Sequence, residues 1–302
     1  MEDRGKPIFG RKVFFLNPTL IIENVIIERL RALEYEVYKI ENYAECKPVL
    51  AEYEDSICFV NIDDQLTPKQ WFNFIKSFEF DSSLSSVFLG VISAKTKPQN
   101  KEQFLLKTKL PGGFVTINHN IDEVYITIEK ILDINGAKGL RKYVRYENSD
   151  PELISANCFI NDRLVQFEVD DLSTAGFAAR FSNGFLKLVL KGCDYNVNLK
   201  LGRKTITITV SVLALKPNGK DTTAVLMFSP DAISQYKDYL RVFICKCLQR
   251  QMDVFAKSSI KDMTNYSVEI KEIAKEEDGE KNTSSETDSF TDMGDLEEVK
   301  NQ

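Results

Sequence analysis

Residues 163–181, RLVQFEVDDLSTAGFAARF, decide how the C-terminal half of this chain is read. Apolar and polar residues alternate on both sides of a Ser-Thr-Ala-Gly break, which predicts strands over 163–169 and 175–181 around a turn. The turn carries Asp171, Ser173 and Gly176 as DxSxxG, a pattern that occurs once in the 302 residues. An ionised Asp only accepts hydrogen bonds, so it suits the N1–H and N2–H₂ donors on one edge of guanine. Ser adds a short hydroxyl, and Gly permits a tight turn or a backbone close to a ligand.

Upstream, with 25 residues between it and Asp171, stands Arg141-Lys142-Tyr143-Val144-Arg145, an RxxxR segment that is also unique in the chain. Each guanidinium is a planar fork of donors that can grip guanine O6 and N7, bind a phosphate bidentately, or lie on a base. RxxxR alone arises by chance about once in a chain of this length, so the information lies in the ordered pair.

In this β-rich context the pair resembles the cyclic di-GMP motif of the PilZ domain family, over roughly residues 138–256. The resemblance implies a small antiparallel β-barrel closed by a helix. It implies that Arg141 and Arg145 hold guanine and phosphate groups, that Asp171 and Ser173 bind a guanine edge, and that Gly176 shapes the turn. Ala175 stands where many members have a second glycine. Leu140 occupies the position associated with binding one or two ligand molecules, and Lys142 is a secondary candidate beside the arginines. Cyclic di-GMP is then the expected ligand, with no cofactor, no metal and no catalytic residue.

The surrounding sequence fits a barrel. Residues 204–216 (KTITITVSVLALK) alternate with β-branched residues, 222–228 read as another strand, and Ser229-Pro230-Asp231 opens a helix expected to reach about residue 255. Its Tyr239, Val242, Phe243, Cys247 and Leu248 form an apolar stripe suited to packing on the barrel.

The first 134 residues have a different rhythm. Short apolar runs at 12–16, 37–40, 57–62, 87–92 and 114–117 are separated by helical patterns at 20–33, 43–53, 67–78 and, after the last strand, 121–134. Thr67-Pro68 reads as an N-cap followed by an N1 proline. Strands alternating with helices predict a parallel, flavodoxin-like α/β sheet. The pattern resembles a response-regulator receiver, but a degenerate one. Asn17-Pro18 replaces the acidic pair after strand one, and Asn61 occupies the phosphoacceptor place, with Asp63 and Asp64 close by. Ser93-Ala94 fits the hydroxyl-plus-small pair, while Asn118 stands where lysine is expected. A neutral Asn cannot form the acyl-phosphate and the missing acids hold Mg²⁺ poorly, which favours a structural or protein-binding pseudo-receiver over a phosphorylated one.

The expected organisation is an α/β domain over 1–134, a linker over 135–145, a barrel plus helix over 146–258, and an acidic, disordered tail over 259–302. Residues 271–302 hold 11 of the 45 acidic groups and 4 of the 39 basic ones, so the net −6 resides there and the rest balances to +1. A nearly neutral body without a broad basic face argues against DNA as a partner. No apolar run is long enough to span a membrane, and residues 1–12 lack a signal-peptide core, so a cytoplasmic protein is expected. The six thinly spread cysteines read as reduced, buried thiols. His119, the one histidine, is expected at the surface, and Cys245-Lys246-Cys247 on a helix points two thiols apart. The expected function is a non-enzymatic cyclic di-GMP effector acting on an unidentified protein partner in motility or adhesion. The rival reading is a ligand-independent adaptor.

Overall fold

The computed structural model describes residues 9–260, so the expected tail lies outside the described residues except for Ser259 and Ile260. The described residues fall into two compact units. One comprises residues 27–37 and 138–252 with Phe9 and Gly10; the other comprises 11–26, 38–137 and 253–260.

In the second unit the apolar runs are strands β1 (Val13–Leu16), β2 (Val37–Ile40), β3 (Ile57–Asn61), β4 (Phe88–Ser93) and β5 (Phe114–Thr116). β1 and β3 are buried along their whole length, as strands covered on both faces must be. The sheet order is β2-β1-β3-β4-β5, with parallel pairing at β1–β3, β3–β4 and β4–β5. This is a doubly wound order and is compatible with a flavodoxin-like fold. Phe14, Phe15, Phe59, Trp71, Phe74 and Phe104 make an aromatic core.

The expected helix over 20–33 is present as a continuous helical run over 20–32, with a π-helical stretch at Ile22–Ile27 leading into a short α1 (Glu28–Ala32). The β-branched run Val25-Ile26-Ile27 crowds the regular ladder. Helices α2 (Tyr43–Glu52) and α3 (Pro68–Lys76) begin at Asn42 and Thr67, whose side chains accept backbone N–H groups; Thr67 and Gln70 form a capping box ahead of Pro68. Polar α4 (Pro98–Lys107) has no counterpart in the periodicity reading, and α5 (Ile121–Ile134) closes the run.

The barrel is built from β6 (Arg145–Glu147), β7 (Ile154–Ile160), β8 (Arg163–Ser173), β9 (Gly176–Ser182), β10 (Asp194–Leu201), β11 (Lys204–Asn218) and β12 (Asp221–Phe228). Six of them close a ring, β8-β7-β10-β11-β12-β9 and back to β8, and β6 adds to β8 from outside the ring. Alternation supplies the core: Val165, Phe167 and Val169 meet Val197, Leu199, Ile206, Ile208 and Leu226 inside. Helix α6 (Pro230–Ile260) starts where Ser229 Oγ accepts the Ala232 amide. Leu240 and Ile244 are buried in the barrel core, and Tyr239, Phe243, Cys247 and Leu248 pack against it. Val242 is 45% exposed and leaves the expected stripe. A closed six-stranded antiparallel barrel with a C-terminal helix is consistent with the PilZ-type architecture.

Among the described residues no helix is long and apolar enough to cross a membrane. The expectation of buried thiols holds for three of the six. Cys46, Cys58 and Cys158 are buried, Cys245 and Cys247 on α6 are only partly buried, and Cys193, in the turn before β10, is exposed.

Candidate functional site

Strand β8 changes neighbours along its length. Residues up to Phe167 pair with β7, a bulge follows between Val169 and Asp171, and the end of the strand lies between β9 and β6. Bulges re-aim side chains, and this one precedes the motif aspartate. The β6 register is Arg145↔Ser173, Tyr146↔Leu172 and Glu147↔Asp171. Tyr146 and Leu172 face the core, so the two-residue period turns Arg145 and Asp171 outward.

Arg145 and Asp171 are therefore diagonal neighbours across two strands. Arg145 Nη1 stands 3.3 Å from Asp171 Oδ2 and 3.4 Å from Oδ1, with side chains 42% and 24% exposed. A long, half-solvated ion pair contributes about 0–1 kcal/mol, so a ligand can replace it at small cost. The neighbouring Asp170 is committed elsewhere. It takes Arg180 Nε at 2.8 Å, and this hydrogen bond raises the Arg180 pKa.

Ser173 and Gly176 have a different place. Ser173 is buried; its hydroxyl donates to Gly176 O at 2.9 Å and accepts the Ala175 amide at 3.3 Å. Ala175 is buried beside it. A Cβ on Gly176 would lie 2.2 Å from Leu226 O, so only glycine lets β9 approach β12 here. These three residues build the hairpin that carries Asp171.

Arg141 lies four residues before Arg145, in the exposed segment ahead of β6. Its guanidinium stacks 4.0 Å from the Phe9 ring centroid. The segment borders a depression of about 390 Å³ lined by Glu34, Lys138, Leu140, Arg141, Lys142 and Lys237, among others. Leu140 is 66% exposed, and Lys142 Nζ lies 5.4 Å from the Tyr143 ring. Lys237 comes from α6, far along the chain, and no sequence pattern marks it.

The C-terminal edge of the parallel sheet is organised differently. Asn17 and Asn61 exchange amide bonds, Asn61 Nδ2 to Asn17 O at 2.7 Å and Asn17 Nδ2 to Asn61 O at 3.3 Å. Asp63 accepts Ser93 Oγ at 2.5 Å, the Ala94 amide at 2.8 Å and the Lys95 amide at 3.3 Å. Asp64 pairs with Lys95 Nζ at 3.2 Å. Asn118 and His119 are exposed. Among the described residues no group of three or more His, Cys, Asp and Glu side chains is placed to hold a metal.

No family model matches the chain, and no curated protein does. Among solved structures it is similar to the complex of K. pneumonia MrkH with c-di-GMP, at 16% identity and a TM-score of 0.32, over 36% of this chain and 54% of that one. It is similar to the PilZ domain of YcgR from Escherichia coli with c-di-GMP, at 15% identity and a TM-score of 0.27, over 41% of this chain and 98% of that one. It is also similar to Borreliella burgdorferi PlzA in complex with c-di-GMP, at 16% identity and a TM-score of 0.27, over 41% and 48% of the two chains. The match spans about half the length of the MrkH and PlzA chains. Likenesses this remote say nothing of individual side chains, which have to be judged on their own geometry.

Proposed function

We propose that the barrel unit is a receptor for cyclic di-GMP and that the chain is a non-enzymatic effector. The observation that supports this most is Arg145 beside Asp171: residues 26 apart in sequence meet on an outward barrel edge through a weak, replaceable ion pair. The Asp171 carboxylate accepts from a guanine edge, and Arg145 released from it turns to a phosphate or to O6 and N7. Arg141, poised on an exposed segment with Lys138, Lys142 and Lys237 around the same depression, closes over the dinucleotide. Ser173 and Gly176 act by holding the hairpin, and Leu140 by its exposed apolar side chain. The parallel-sheet unit serves as a pseudo-receiver that docks a protein.

Ligand binding orders residues 138–143 and so shifts the chain toward a partner-competent arrangement, by as much as the ligand prefers that state and no more. The output is control of motility or adhesion through that partner. Calorimetric titration of the full chain with cyclic di-GMP tests the proposal, with Arg141→Ala and Asp171→Ala as variants. Saturable binding that either substitution weakens by tenfold or more supports it; no saturable binding by the folded wild type sinks it. A ligand-independent adaptor is favoured by one observation: the Ser173 hydroxyl is already satisfied within the turn. Partner capture unaffected by the dinucleotide would decide for that reading.

A further inference from the structure

We propose that Glu34 is a positioning residue for the dinucleotide site, a single carboxylate that ties the RxxxR segment to the tip of the DxSxxG hairpin before a ligand arrives. The inference rests on the cyclic di-GMP reading for its consequence, and on the following geometry for its existence. Glu34 lies just after α1, in the same compact unit as the barrel. Its Oε2 accepts the Val144 amide at 3.1 Å, and its Oε1 accepts Thr174 Oγ1 at 2.9 Å. Val144 directly precedes Arg145, and Thr174 directly follows Ser173.

Arg145↔Ser173 is the last pair of the β6–β8 ladder. The next pair would be Val144 with Thr174, and there the carboxylate stands in for the missing rung. Two further features hold it in place. Glu34 is the left-handed residue (φ +64) of the Schellman turn that ends α1, in which the Glu34 amide donates to Arg31 O and the Tyr35 amide to Leu30 O. Its side chain is 11% exposed, and its Oε1 lies 4.0 Å from Arg241 Nε, a buried nitrogen with no hydrogen-bond partner among the described residues.

The consequence is preorganisation. With Val144 anchored, the backbone that aims Arg145 is already ordered, and a ligand has to order only the part of the segment that carries Arg141. Sequence reading gave no hint of this, because Glu34 is 110 and 140 positions from its two partners.

The test compares Glu34→Ala and Glu34→Gln with the wild-type full chain by amide exchange without ligand and by titration with cyclic di-GMP. Glu34→Ala is expected to lose protection at Val144 while the β10–β11 amides keep theirs, and to bind about tenfold more weakly. Glu34→Gln restores both, since an amide oxygen accepts from Val144 and its NH₂ donates to the Thr174 hydroxyl. Unchanged binding by Glu34→Ala, or tighter binding by both variants, overturns the proposal; tighter binding would make the carboxylate a competitor of phosphate. If the wild type binds no cyclic di-GMP, the receptor reading falls by itself, and Val144 exchange still judges the tether: unaltered protection in Glu34→Ala refutes it.

Discussion

The outward edge of the barrel and the C-terminal edge of the parallel sheet are both polar, and they differ in how their groups are spent. At the sheet edge, Asn17 and Asn61 satisfy one another, and Asp63 is wrapped by Ser93 Oγ and two backbone amides. At the barrel edge, Arg145 and Asp171 meet at 3.3–3.4 Å and remain partly in water, with Arg141 exposed nearby. Close, buried and mutually satisfied groups stabilise a fold, whereas long, solvated charge pairs leave recognition chemistry in reserve. The contrast supports the proposal that ligand binding belongs to the barrel and a scaffold role to the sheet.

The largest effect that can break this contrast is expected at Gly176. Gly176→Ala pushes a Cβ into Leu226 O and should cost about 3 kcal/mol of unfolding free energy in denaturant titration. A variant as stable as the wild type would mean that the barrel edge is not set by this close approach. Next comes Arg145→Ala, expected to weaken cyclic di-GMP binding by about 2 kcal/mol, or roughly thirtyfold, in calorimetry. Arg180→Ala serves as its counterpart. That guanidinium is occupied by Asp170 and Glu168, so affinity should change less than threefold, on the order of 0.6 kcal/mol. Equal losses in the two variants would erase the distinction between reserved and committed charge.

At the sheet edge, Asn61→Asp removes the donor to Asn17 O and places a buried carboxylate against that carbonyl. A loss of about 1.5 kcal/mol in stability is expected, with no gain of label from a small phosphodonor. Labelling of the wild type at Asp63 would reverse the scaffold reading. The smallest effect concerns the barrel core. Burial pushes the Cys158 thiol from 9.0 up to about 11, so the folded state favours its neutral form. Its contribution is complete below pH 9.0 and is lost as pH rises toward about 11, which should appear as an alkaline decline in the unfolding midpoint. Cys158→Ala should lessen that decline without abolishing it, because burial pushes the Cys247 thiol up to about 11 as well. Thiol labelling at neutral pH should meanwhile mark Cys193 well before Cys46, Cys58 or Cys158.

Much of the fold was legible because it rests on local periodicity. The alternation in 204–216 announced β11, the Thr67-Pro68 cap placed the start of α3 to the residue, and Ser229 opened α6. Three strands were not drawn from sequence: β6 has three residues, and in β7 and β10 the outward positions of the alternation hold Asn157, Asn196 and Asn198, a residue type depleted in strands. Those asparagines make side-chain bonds to neighbouring strands, a pattern visible only once the strands are paired. Of the candidate site, Arg141, Arg145, Asp171, Ser173 and Gly176 could be named from spacing. Their separate duties could not. Ser173 and Gly176 face the hairpin and its neighbour strand, while Arg145 and Asp171 face outward, and that division follows from a register and a bulge between Val169 and Asp171.

By itself, then, the sequence determined most of the elements, the two kinds of sheet and the chemical character of the motif pair, because helix and strand periods and turn chemistry act over a few residues. Only the tertiary structure decided which arginine meets which aspartate, that Lys237 joins the basic depression, and that Glu34 spans the end of the β6–β8 ladder. Those are meetings between residues tens to more than a hundred positions apart, set by barrel closure and strand register, and no local pattern encodes them.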